Sequence, residues 1–147
     1  VAQQFDVAQI ISSHGLMPII EPEVNIKAAD KKDCETILKN ELLAQLDALE
    51  DQKVIFKLTL PEQAGSYSDI AQHRNTAQLV ALSGGYSTEE ACQRLAQNQG
   101  MIASFSRALT QNLSAQQSEQ IFNETLSQAI DQIYTASIAG RSNAAAA

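Results

Sequence analysis

Basic residues are scarce in this chain: ten Lys and Arg stand against seventeen Asp and Glu, a formal charge of −7. The ten are scattered along the sequence, so the electrostatic footprint of a nucleic-acid binder is missing, and an anionic ligand needs a locally built positive site. Long apolar runs are also missing. No stretch approaches the length that spans a bilayer, and the opening "VAQQFDVAQ" lacks the basic-then-apolar order of a signal peptide. These features lead us to expect a cytoplasmic protein with no nucleic-acid or membrane partner. Only two cysteines occur, Cys34 and Cys92, each on the apolar stripe of an expected helix, where a thiol behaves as a small hydrophobe. No Cys, His and carboxylate spacing resembles a metal site, so no cofactor is expected. His14 and His73 read as surface residues.

What is present is an alternation of helix-period segments with short apolar runs. Helix is expected over 1–13, strand over 17–24 ("MPIIEPEV"), helix over 29–50 and strand over 54–60. A short helix near 66–73 precedes a strand over 77–85 ("AQLVALSGG"). Ser87 to Glu90 fit a capping box that opens the next helix, which ends near Gly100. A strand over 101–106 ("MIASFS") leads to a last helix expected to start at Ser114, with Gln117 completing a second capping box. Strands separated by helices imply parallel pairing through right-handed crossovers, hence the α/β class. Four βα units fit either a small doubly wound sheet or half of an eight-stranded barrel, and a whole barrel needs roughly 250 residues against the 147 present. The chain begins inside a helix with neither Met nor cap, and its polar anomalies sit at the C-terminal ends of strands. Both favour half of a (β/α)8 TIM barrel, with residues 1–138 as the fold and 139–147 as a disordered or tag-like tail.

The most telling anomaly is an ammonium group inside "KVIFKLTLP". Lysine is almost never fully buried unless paired, and loss of water favours the neutral, nucleophilic amine. Side chains alternate across a strand, so Val54, Phe56, Leu58 and Leu60 share one face while Ile55, Lys57 and Thr59 share the other. The apolar set meets the helices and Lys57 points into the barrel. The same parity in "MPIIEPEV" sends Ile20, Pro22 and Val24 outward and Met17, Ile19, Glu21 and Glu23 inward. One amine and two carboxylates are thereby expected in one dry interior. A satisfied ion pair explains the arrangement too, but buried pairs add little stability, because desolvation offsets their attraction.

"LSGGYS" carries a second signal. Ser83 reads as inward-facing by parity, and Gly84 and Gly85 precede a helix, so exposed N–H groups there suit a phosphate, although an ordinary tight turn reads the same way. The strand that follows leads into Ser104, Ser106 and Arg107, whose guanidinium suits a second anionic group.

Taken in order, "PIIEPEV", "FKLTLP", "LVALSGGYS" and "IASFSRAL" resemble the C-terminal half of a class I fructose-bisphosphate aldolase of the short bacterial type. The resemblance implies that Lys57 is the Schiff-base lysine and Glu21 the acid/base carboxylate, with Glu23 assisting. It implies that Ser83, Gly84, Gly85, Ser104 and Arg107 bind the phosphates of a sugar bisphosphate, with no metal required. Fructose 1,6-bisphosphate would be cleaved reversibly to dihydroxyacetone phosphate and glyceraldehyde 3-phosphate, a step of glycolysis and gluconeogenesis. The family's acidic and basic residues on the earlier strands have no counterpart here, so the expected partner is the missing N-terminal half, with a homo-oligomer also open. The alternative is a noncatalytic phosphosugar-binding half-barrel module.

Overall fold

The computed structural model describes residues 1–142. Six helices and four strands follow along them, alternating until two helices end the series: α1 (Ala2–Ser13), β1 (Ile19–Ile20), α2 (Lys31–Ala48), β2 (Val54–Thr59), α3 (Ser68–Gln72), β3 (Thr76–Leu82), α4 (Thr88–Ala96), β4 (Met101–Ala103), α5 (Arg107–Thr110) and α6 (Glu119–Ser142). All three strand pairings are parallel. The strand order is β1-β2-β3-β4, the same as the chain order. A doubly wound sheet reverses its order at a switch point. Sequential order is that of a barrel wall.

The sheet registers confirm the parity argument for β2. Ile20, Phe56, Leu79 and Met101 lie side by side across the four strands and are all buried. With Val54, Leu58, Leu60 and Ala81 they form the face on which the helices pack. Leu42 and Leu46 of α2 and Leu95 of α4 are fully buried in the same cluster, and Phe5 of α1 meets Phe56 with ring centroids 6.1 Å apart. Full burial of each such side chain contributes roughly 1.5–3 kcal/mol. The opposite row runs Ile19, Ile55 and Gln78, then Lys57, Val80 and Ile102, and it is only half-buried or exposed. Among the described residues, helices therefore cover one face of the sheet only.

Several elements are shorter than their sequence patterns suggest. Strand β1 keeps two residues of the expected eight because Pro18 and Pro22 cannot donate to a ladder. Strand β4 keeps three, although Ser104 N–H still donates to the Ala81 carbonyl at 2.8 Å, and the chain bends at Ser106 into the short α5, which periodicity did not reveal. Ser114 N–H does donate to Gln117 Oε1, but this bond closes a local turn. The helix itself starts at Glu119, where Ser118 Oγ accepts from Ile121 N–H. Helix α6 returns to the sheet, burying Ala136 and accepting the Ala103 N–H at Ser137 Oγ, which closes the free edge of β4. It continues past residue 138 to Ser142, and residues 143–147 of the expected tail lie outside the described residues.

An ion pair inside this framework went unread in the sequence. Lys31 and Glu35, one turn apart on α2, are 4% and 3% exposed and bonded to each other. Lys31 Nζ also donates to the Leu60 carbonyl at 3.0 Å, and Glu35 accepts the Glu62 N–H at 2.9 Å. The pair thus fixes the chain where it leaves β2. Burial, with the nearby Glu35 charge adding to it, pushes the Tyr67 hydroxyl far above its ordinary pKa, a second sign that this region is dry.

Candidate functional site

Lys57 sits in the fourth position of β2, on the uncovered face, between Val80 and the start of the β1–α2 connection. Its Nζ lies 2.7 Å from Glu21 Oε1. The side chains of Lys57 and Glu21 are 25% and 45% exposed, so the pair is solvated on one side and not sealed in the dry interior expected from the sequence. An exposed pair of this kind contributes about 0–1 kcal/mol to stability. A fold gains little from holding it there.

The two groups share a shallow cavity of about 110 Å³ with Glu23, Leu82, Ser83, Gly84, Ser104, Ser106 and Arg107. Glu23 forms no ion pair among the described residues, and Arg107, exposed at the start of α5, forms none either. Of the candidates read in the sequence, Lys57, Glu21, Glu23, Ser83, Gly84, Ser104 and Arg107 are therefore brought together, whereas Gly85 stands next to the cavity without lining it. Ser106 and Leu82 are the lining residues not chosen beforehand.

Ser83 reaches the cavity by a different route from the one its parity suggested. Register places Leu79 opposite Phe56 and Ala81 opposite Leu58, so the row continuing to Ser83 is the helix-facing one. The strand ends at Leu82 instead, and a tight turn closed by Tyr86 N–H donating to Ser83 C=O at 2.9 Å redirects the chain. Gly84 and Gly85 hold φ of 60° and 106°, a region only glycine enters without strain. Their amides make no hydrogen bond among the described residues, which leaves two unsatisfied donors at the turn, Gly84 lining the cavity and Gly85 next to it. A Cβ at Gly84 would also lie 2.8 Å from Ile26 Cγ2, a methyl borne directly on a branched Cβ whose rotation about χ1 is restricted. Gly84→Ala is expected to cost about 1–3 kcal/mol through left-handed strain and overpacking. Urea unfolding checks it; an unchanged midpoint would show that the turn relaxes at no cost.

Chemically, the site offers an amine within hydrogen-bond reach of a carboxylate, a second carboxylate, three hydroxyls, a guanidinium and the unbonded Gly84 amide, with that of Gly85 beside the cavity. No group of three or more His, Cys, Asp or Glu among the described residues is placed to hold a metal ion. The class defined by fold and site is a parallel α/β barrel-wall protein with an amine and an acid at the C-terminal ends of its strands.

Comparison with known proteins narrows this. No family model matches the chain. It is, however, 51% identical over 139 residues to the class 1 fructose-bisphosphate aldolase of Clostridium acetobutylicum, covering 94% of this chain and 47% of that protein. It is 52% identical over 139 residues to the class 1 fructose-bisphosphate aldolase of a Synechocystis species, covering 94% of this chain and 46% of that protein. The chain spans about half the length of the curated relatives it matches. Its resemblance to class 1 aldolases thus extends along nearly the whole sequence and is not confined to four short motifs.

Proposed function

We propose that this chain supplies the C-terminal half, residues 1–138, of a TIM-barrel class I fructose-bisphosphate aldolase, and that Lys57 forms a Schiff base with the ketone carbon of the substrate. The single observation that carries this reading is the 2.7 Å contact between Lys57 Nζ and Glu21 Oε1 on the open face of the sheet. The half-identity to two aldolases so named supports it.

In this reading the unprotonated Lys57 amine adds to C2 of fructose 1,6-bisphosphate, and Glu21 donates the proton that lets the carbinolamine hydroxyl leave as water. The resulting iminium accepts the electron pair of the C3–C4 bond as the C4 hydroxyl loses its proton, releasing glyceraldehyde 3-phosphate. The enamine left on Lys57 is protonated at C3, and water returns to release dihydroxyacetone phosphate. Glu21 is close enough to Nζ to carry the protons of dehydration and hydrolysis, with Glu23 assisting from the same cavity. Ser83, the Gly84 and Gly85 amides, Ser104 and Arg107 supply donors for phosphate.

The reading requires a second half. Ile19 and Met17 are more than half exposed, and among the described residues β1 is bonded to a strand on one side only. The expected partner is therefore the N-terminal half of the barrel, which would cover this face, supply the remaining acid and lysines, and exclude water from Lys57. The cytoplasm is the proposed compartment, consistent with the two free cysteines. The test is a cleavage assay on fructose 1,6-bisphosphate and on other sugar phosphates, with the chain alone and joined to the first half of the Clostridium relative. The reading predicts no turnover alone and cleavage of the bisphosphate when joined. A joined, folded protein that binds the bisphosphate without cleaving it would replace this reading with the noncatalytic phosphosugar-binding module, which the partial solvent exposure of Lys57 and Glu21 favours.

A further inference from the structure

Proline at position 22 has no N–H to offer a neighbouring strand. The ladder between β1 and β2 stops before it, after the two pairs Ile19 with Ile55 and Ile20 with Phe56. Glu21 and Glu23 thus lie beyond the backbone pairing, on a segment that no main-chain bond ties to β2. A side chain ties it. Thr59 Oγ1 accepts from the Val24 N–H at 3.0 Å and donates to the Val24 carbonyl at 3.1 Å, so one hydroxyl satisfies both backbone groups that the interrupted ladder leaves open.

The bond is protected from water: Thr59 is 1% exposed and Val24 9%. Deleting the hydroxyl would orphan a buried donor and a buried acceptor, a penalty the segment can relieve only by moving away from β2. Thr59 itself does not line the cavity. It stands two residues after Lys57 on the same strand, and Val24 directly follows Glu23. Its methyl group has a separate task, since Thr59 Cγ2 lies 3.5 Å from where a Gly84 side chain would begin. We infer that Thr59 is a positioning residue whose hydroxyl replaces the ladder broken by Pro22 and sets the Glu21–Glu23 segment against Lys57. This rests on the proposed roles of Lys57 and Glu21 for its bearing on chemistry, but not for its geometry.

Thr59→Val keeps the methyl packing and removes both hydrogen bonds, whereas Thr59→Ser keeps the bonds and removes the methyl. The first readout needs no catalysis: the change in the Lys57 side-chain ¹⁵N shift caused by Glu21→Gln, with amide exchange at Val24. Val24 protection should fall at least about tenfold in Thr59→Val, as expected for a local opening. The Glu21→Gln shift change should disappear there and persist in Thr59→Ser. The second readout is borohydride trapping of Lys57 with dihydroxyacetone phosphate, in the chain joined to its first half. It should slow by about tenfold or more in Thr59→Val and by less than about threefold in Thr59→Ser, with inorganic phosphate affinity unchanged in both. A shift change that survives in Thr59→Val, or a Ser variant that behaves like the Val variant, would overturn the assignment. If the unsubstituted protein cannot be trapped at all, the aldolase reading fails, and the first readout still decides the role of Thr59.

Discussion

Lys57→Met in the chain joined to its first half is expected to lower fructose 1,6-bisphosphate cleavage by at least about three orders of magnitude, since the proposed covalent intermediate forms on this amine. The fold should barely notice. The Lys57 side chain is one quarter exposed and its Glu21 partner nearly half exposed, so the lost ion pair contributes about 0–1 kcal/mol, and Met replaces the aliphatic stem. A stopped-time assay of triose phosphate release, with urea unfolding of the same variant, checks both halves of the expectation. Inorganic phosphate should still bind near Gly84 and Arg107. Cleavage that survives the substitution within about tenfold would exclude a Schiff base on this residue.

The opposite balance is expected at Lys31 and Glu35. Here both side chains are almost fully buried, and neither borders the cavity. Lys31→Met leaves the Glu35 carboxylate in a dry site with only the Glu62 N–H against it, a loss of about 3–5 kcal/mol. Glu35→Leu takes the buried partner from the ammonium, which keeps the Leu60 carbonyl and, at 3.7 Å, the half-exposed Glu62 carboxylate, so its loss is expected to be the smaller of the two. The double variant Lys31→Met, Glu35→Leu removes both buried charges, leaves the Leu60 carbonyl and Glu62 N–H unpaired at about 1 kcal/mol each, and takes the 3.7 Å Lys31 contact from the half-exposed Glu62 carboxylate, which keeps Arg94. It should therefore be more stable than either single variant. Urea unfolding of the four proteins closes the cycle; a double variant that loses the sum of the single losses would show that the charges do not interact.

The contrast between these two lysines explains what could be read from the chain beforehand. Lys57 stands out because period-2 alternation is local: its neighbours Phe56 and Leu58 declare the covered face, and the lysine falls opposite. Lys31 gives no such signal. It lies at the start of a helix, where lysine is usually solvated, and only the return of residues 60–62 over it makes the site dry. Parity failed for a related reason at Ser83, which the turn at Gly84 redirects after the strand has ended. The class and the order of the elements were legible from alternation, while the strand lengths were not. Pro22 and the bend at Ser106 set those lengths, and Thr59 repairs the first of these breaks through a bond spanning 35 positions. The short α5 escaped notice because four residues carry too little periodicity to register.

Sodium borohydride reduction with dihydroxyacetone phosphate, followed by peptide mass mapping, tests the central proposal most directly. The chain joined to its first half should acquire one reduced adduct, on the peptide carrying Lys57, and should lose it in Lys57→Met. An adduct on another lysine, or no adduct in a folded protein that still binds the phosphate, would contradict it.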